Sequence, residues 1–227
     1  LYTQAAALGS GRALNNLGLI YVRGEGVEQD YARAVDLFSQ AGEMGVKQAY
    51  RNLGVLYENG FGVPVNEAKA AELYKLASNA EISAPPSVAR YIYDPRLAPI
   101  ETTPEALNHV QTSADFGDPV AQFQLGWALV QKTDPTFAEF RQAAQWFTRA
   151  AQNGYGPAMA NLGMMHYRGE GVLQDFVYGH MWVSLASAAG VVLDDALAAE
   201  FVNLPTPSQI NESQALVRAR IKNNNLR

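Results

Sequence analysis

The chain has 227 residues, 48% of them apolar, with a formal net charge of −5 and no cysteine. Such a length holds one or two ordinary domains with a sizeable core, and the acidic balance excludes the basic face that a nucleic-acid binder or a polybasic membrane anchor requires. Missing thiols exclude disulfides, thiolate catalysis and cysteine-bound metal without fixing a compartment, and no apolar run approaches the roughly 18 residues of a spanning helix.

In chain order the predicted elements follow a period of 36. Leu1-Tyr2 stands 36 residues before Leu37-Phe38, so the chain is expected to open inside the second helix of a pair, as a piece of a longer protein. Leu17-Gly18 then returns as Leu53-Gly54, as Leu125-Gly126 two shifts on, and as Leu162-Gly163 after 37. A second ladder runs through Ala34, Ala70, Ala106 and Ala143, and a third through Ala41, Ala77, Ser113, Ala150 and Ala186. Each unit splits into two helices: Ala13 to Tyr21 spaces apolar or small residues on one face, and Tyr31 to Ala41 does the same. The expected boundaries are 1–12 for a truncated repeat, then 13–48, 49–84, 85–120, 121–157 and 158–193, with a C-terminal cap over 194–227. Asp118-Pro119 and Asp134-Pro135 read as helix starts, with proline at the first helical position, and Thr206 to Gln209 reads as a capping box. The third unit keeps the register but lacks the Leu-Gly. Its prolines at 85, 86, 95 and 99 limit its first helix to about two turns.

The stretch "NLGLIYVRGEGVEQD" places Gly24 and Gly26 where a phosphate-cradling loop could begin. It has no third glycine and no preceding strand, so the dinucleotide reading fails. The pair recurs as Gly60 and Gly62 and as Gly169 and Gly171, which suits a hinge needing left-handed backbone angles. Gly18, Gly54, Gly126 and Gly163 fall in mid-helix, where glycine costs about 1 kcal/mol against alanine. Repetition of that cost implies the close approach of a neighbouring helix.

The segments "ALNNLGLIYVRGEGVEQDYARAVDLFSQAGEMG", "AYRNLGVLYENGFGVPVNEAKAAELYKLA" and "NLGMMHYRGEGVLQDFVYGHMWVSLASAAG" resemble the Sel-like repeat family, a branch of the tetratricopeptide-like superfamily. The resemblance implies an all-α fold: a right-handed α/α superhelical solenoid of about five 36-residue helix pairs plus a C-terminal capping pair. It also implies a non-enzymatic adaptor, bacterial, with the periplasm or export favoured over the cytoplasm. Two stretches depart from the pattern, Ala84 to Ile100 and "LVQKTDPTFAEF"; both lack the glycine hinge. His166 takes the place of Tyr21 and Tyr57 and is expected to pack.

By analogy with tetratricopeptide repeats, the concave face carries the residues around each Leu-Gly: Asn15, Leu19 and Val22; Arg51, Val55 and Glu58; Ser87, Tyr91 and Asp94; Phe123, Trp127 and Val130; Ala160, Met164 and Tyr167. Phe123, Trp127, Val130, Met164 and Tyr167 would form one apolar patch, open to a partner or covered by the final helices. Asn16, Asn52 and Asn161 precede the Leu-Gly. An amide there suits main-chain recognition of a peptide, and the alternative is that each bonds the hinge of its own repeat. Arg12 and Arg51 would suit a peptide carboxylate. The candidate partner-binding residues are therefore Asn16, Arg51, Asn52, Tyr91, Phe123, Trp127, Asn161, Met164 and Tyr167, facing a protein or peptide.

Chemistry is not indicated. His109, His166 and His180 lack metal-ligand spacing, no nucleophile elbow or Walker loop occurs, and Asp194-Asp195 suits a helix start. No catalytic residue, metal or cofactor is expected. The rival readings are an envelope-glycan binder or hydrolase and an inhibitory regulator of a membrane signalling protein.

Overall fold

The computed structural model describes residues 2–78, 91–101, 103–132, 135–201 and 204–224. Among them all regular structure is helical, as the 36-residue ladder requires, and the helices form the pairs of an α/α solenoid. The chain divides into two units, Leu1–Ala84 and Pro85–Arg227. The division falls at the start of the irregular third repeat.

The first unit contains α1 (Tyr2–Ala7), α2 (Gly11–Arg23), α3 (Tyr31–Glu43), α4 (Lys47–Asn59) and α5 (Glu67–Ser78). Caps set the starts: the Ser10 hydroxyl accepts from the Ala13 N–H, the Asp30 carboxylate from Arg33, and the Asn66 amide oxygen from Lys69. Within each pair the mid-helix glycine lets an aromatic ring of the second helix lie on the backbone of the first. A β-carbon at Gly18 would stand 2.6 Å from the Phe38 ring, and one at Gly54 equally close to the Tyr74 ring. Phe38 is fully buried as a result.

The second unit contains α6 (Pro104–Asp115), α7 (Pro119–Val130), α8 (Phe137–Gln152), α9 (Gly156–Arg168), α10 (Phe176–Ala188), α11 (Asp195–Phe201) and α12 (Pro207–Asn224). The same glycine rule holds: Gly126 receives the Phe147 ring and Gly163 receives Val183. Asp118 caps α7 with Pro119 at its first turn. Helix α8 starts later than Asp134-Pro135 suggests, because Thr136 and Glu139 close a capping box, and Lys132 pairs with the Glu139 carboxylate across the missing hinge. Asp194 caps α11 through the Leu197 N–H, and Thr206 and Gln209 exchange capping bonds at α12.

The hinges explain how consecutive pairs stack within each unit. Gly60 and Gly169 end their helices in left-handed backbone. The second glycine of each hinge, Gly62 or Gly171, then lies against the backbone that opens the second helix of the pair before. A β-carbon on Gly62 would meet Tyr31 and Ala32 at 2.5 to 2.6 Å, and one on Gly171 would meet Phe140 and Arg141 at 2.3 to 2.4 Å. The hinge glycine is therefore a packing residue between repeats as well as a turn. His166 keeps to its own hinge, with Nδ1 at 3.2 Å from the Leu173 carbonyl oxygen and its ring edge-on to Tyr178.

Residues 91–100 correct the register. The 36-residue ladder places the end of a first helix over 91–95, and the described backbone has no helix from 91 to 100. Pro95 and Pro99 cannot donate to a helical ladder, and each pushes its preceding residue, Asp94 or Ala98, towards extended backbone. Instead the chain turns at Pro95 and Arg96, where the Leu97 N–H donates to the Asp94 carbonyl at 3.0 Å. The anticipated Ser87 lies outside the described residues. Helix α6 supplies the second helix of this repeat.

Candidate functional site: a side-chain clamp on an unwound segment

In the second unit, α7 and α9 are the first helices of consecutive pairs, and their shared face carries Phe123, Trp127, Asn161, Met164 and Tyr167. Phe123 and Met164 are fully buried, Tyr167 nearly so, and Trp127 partly. Two elements cover this face. Helix α11 lays Phe201 flat on Tyr167, with ring centroids 4.6 Å apart and planes 8° apart. The non-helical residues 91–94 lie over the rest.

Asn161 makes the decisive contact. Its Oδ1 accepts from the Ile92 N–H and its Nδ2 donates to the Ile92 carbonyl, both at 2.9 Å. An amide has one donor and one acceptor edge, so a single side chain can replace a neighbouring strand for one residue of main chain. Asn161 is fully buried, and these two bonds leave neither backbone group of Ile92 unpaired. The alternative in which Asn161 bonds its own hinge does not hold.

Side chains on either side of Ile92 complete the docking. Tyr91 is buried beside Phe140, its hydroxyl donates to the Glu170 carboxylate, and the Arg168 guanidinium lies 5.4 Å from its ring centroid. Tyr93 packs on Trp127 at 4.4 Å and on Phe123 at 5.8 Å. Asp94 accepts from the Tyr155 hydroxyl at 2.5 Å and pairs with Arg96 at 2.7 Å. The Arg96 guanidinium, with the Tyr155 hydroxyl, holds the Asp94 carboxyl well below the usual carboxylate range although burial opposes this. Burial, and then the Asp94 carboxylate, push the Tyr155 hydroxyl up. The indole N–H of Trp127 is buried and has no partner among the described residues.

Tyr91 thus belongs to the covering segment, whereas the sequence reading placed it on a receptor helix. The candidates in the first unit form a separate group. Asn52 is buried and its amide donates to Asn15 Oδ1 at 3.2 Å, tying α4 to α2. Asn16 and Arg51 are partly buried, while Asn15, Leu19 and Val55 are buried rather than displayed. Sequence reasoning missed Tyr93, Tyr155, Arg168, Glu170 and Phe201. Only the Asp94-Pro95-Arg96 run carried a local signal, a turn flanked by opposite charges.

His180 and Ser213 need a separate reading. His180 Nδ1 lies 2.7 Å from the Ser213 hydroxyl and 3.4 Å from that of Ser184. Ser213 is fully buried and also donates to the Ile210 carbonyl at 2.8 Å. A hydroxyl has one proton, so with that proton on Ile210 the imidazole must donate. The pair is a clasp of α12 onto α10, reinforced by Arg220 over the Trp182 ring at 4.3 Å. Burial lowers the His180 pKa from its ordinary value of 6.5. The unfolded chain then binds more protons below pH 6.5, so this contribution to stability is full above that value. It is lost as pH falls through 6.5 and levels off below the folded pKa. We expect the melting temperature of the wild-type chain to fall between pH 7.5 and pH 5.5 more than that of His180→Gln. Parallel curves would show that His180 does not titrate differently on folding.

Among the described residues no helix is long and apolar enough to cross a membrane, and no three metal-ligating side chains converge.

The glycine hinges, the mid-helix glycines and the paired helices match the Sel1 repeat family over residues 11–46, 47–81, 119–155 and 156–191. The chain belongs to the Sel1 repeat family. Residues 82–118, between the second and third matched repeats, include the docked segment and α6. Sel1 repeat proteins act in general as non-enzymatic protein-interaction scaffolds. Among solved structures, the chain is similar to a protective antigen of uropathogenic Escherichia coli strains that displays an SLR fold. The two are 26% identical over 97% of this chain and 55% of that one, with a TM-score of 0.36. It is also similar to a Sel1 repeat protein from Oxalobacter formigenes, 27% identical over 90% of this chain and 47% of that one, with a TM-score of 0.34. The chain therefore spans about half the length of each. No curated protein matches it.

Proposed function

We propose that this Sel1 repeat chain is an adaptor whose α7–α9 face receives an unwound peptide segment of a protein partner. The pairing of one buried amide, Asn161, with both backbone groups of Ile92 carries this reading. Main-chain pairing is indifferent to side-chain identity and supplies affinity, while pockets for the flanking side chains supply choice. Phe123 and Trp127, against Tyr93, and Phe140 with Arg168 and Glu170, around Tyr91, provide those pockets, and aromatic anchors of this kind dominate interface energetics. We also propose an exported or periplasmic setting, the expectation drawn from the repeat resemblance above.

Panning a displayed peptide library against the full chain carrying Tyr91→Ala and Tyr93→Ala, which empties the face, tests the proposal. Enriched peptides should lose binding when Asn161→Ala is added, with helix content unchanged by circular dichroism. Peptides held equally well without Asn161, or no enrichment on a folded chain, would refute it.

A further inference from the structure

We infer that Tyr91 to Asp94 is a built-in stand-in for the partner, and that the partner presents a peptide ordered aromatic, aliphatic, aromatic, acidic. This rests on the receptor reading above and adds the identity of what the receptor takes.

The order follows from how each position is held. The first aromatic residue enters the site made by Glu170, Arg168 and Phe140, where Tyr91 is almost fully buried. The second residue is gripped by its backbone, because Asn161 pairs with the main chain of Ile92, and its side chain packs partly buried on the apolar core, which suits an aliphatic residue. The third must be flat and large to take the place of Tyr93 against Trp127 and Phe123. The fourth must accept a hydrogen bond from the Tyr155 hydroxyl, as Asp94 does. Asp94 is buried on the receptor while its second partner, Arg96, comes from the segment itself. A carboxylate therefore fits this position only when its own chain brings a cation two residues on.

The internal segment also behaves as a placeholder. It is held by side chains, not by the helix pairing that holds α7, α8 and α9, so it can leave without unwinding a helix. It leaves the buried indole N–H of Trp127 without a partner among the described residues, a donor that a better-fitted ligand would use. Tethering gives it a high effective concentration, so an incoming peptide meets a closed face. The observed affinity is reduced by the fraction of time the face is open. Arg168 touches both covers, lying over Tyr91 at 5.4 Å and over Phe201 at 5.3 Å.

The test uses a labelled synthetic octapeptide of sequence Tyr-Ile-Tyr-Asp-Pro-Arg-Leu-Ala and fluorescence anisotropy. The full chain with Tyr91→Ala and Tyr93→Ala should bind it about tenfold or more tightly than the wild-type chain, as expected if the face is open one-tenth of the time or less. Asparagine in place of the peptide's aspartate should weaken binding, and alanine at both peptide tyrosines should abolish it. Should the double variant not fold, hydrogen exchange on the wild-type chain decides the matter. Excess octapeptide should speed exchange at the Ile92 amide and leave α8 unchanged. Unaltered exchange at Ile92 under saturating peptide overturns the inference. Light scattering on the opened chain covers the remaining occupant: a dimer that the octapeptide does not dissociate would assign the face to a second copy and overturn it too. If the library yields Asn161-dependent peptides of another order and the octapeptide does not bind, the receptor stands and this inference falls.

Discussion

Replacing Gly171 by alanine is expected to be among the most damaging single changes in the chain. The residue has a φ of 69°, a region that costs a non-glycine residue about 1 to 2 kcal/mol. Its new methyl would also stand 2.3 to 2.4 Å from the Phe140 and Arg141 backbone, which cannot rotate away as a side chain can. Overpacking of this kind adds about 1 to 3 kcal/mol. The melting temperature of the second unit should fall by about 5 °C or more, given about 2 to 4 °C per kcal/mol in a chain of this size. Gly26 is the control. It holds the same hinge position at a φ of 74° with nothing within 4 Å of its β-carbon, so Gly26→Ala should show the conformational cost alone. Equal losses in thermal melts of the two variants would mean that the hinge matters only as a turn, not as a seat for the preceding repeat.

The second large effect is expected at Asn161. Asn161→Ala leaves the Ile92 N–H and carbonyl without their partners, at about 1 to 3 kcal/mol for each group that stays buried. The cheaper response is for residues 91–94 to lift off and let water satisfy both groups, which uncovers Phe123 and Trp127. We expect hydrogen exchange at the Ile92 amide to accelerate by about two orders of magnitude or more, since about 1.4 kcal/mol is a factor of ten, and dye binding to apolar surface to rise. Asn161→Asp sharpens the test. An ionised carboxylate can accept from the Ile92 N–H but cannot donate to the carbonyl, so docking should fail at neutral pH and partly return in acid, once the carboxyl is protonated. Slow exchange at Ile92 in both variants would show that Tyr91 and Tyr93 hold the segment without the clamp.

Much of this architecture is visible in the residues before any fold is known. The Leu-Gly ladder marks where an aromatic ring must approach a helix, and Gly18 with Phe38 and Gly126 with Phe147 show that approach in space. The amide before each Leu-Gly could be read as a main-chain partner because asparagine offers both edges. Hidden from view was whose main chain it would hold. Asn161 and Ile92 are 69 residues apart, and a non-local pairing leaves no periodicity in the sequence around either residue. The prolines of the third repeat limit a helix there, but they do not say where the released strand goes.

The division between the two levels is therefore physical. Period, hinge, cap and turn depend on neighbours within a few residues, so the amino-acid order alone determined that this chain folds as stacked helix pairs with glycine hinges. The occupancy of the α7–α9 face depends on buried contacts from five elements: the 91–97 segment, α7, α8, α9 and α11. Only their assembly decides it, because Tyr91, Tyr93 and Asp94 gain a site when Asn161, Trp127, Tyr155 and Glu170 are brought to one place. No one of those residues carries that information by itself.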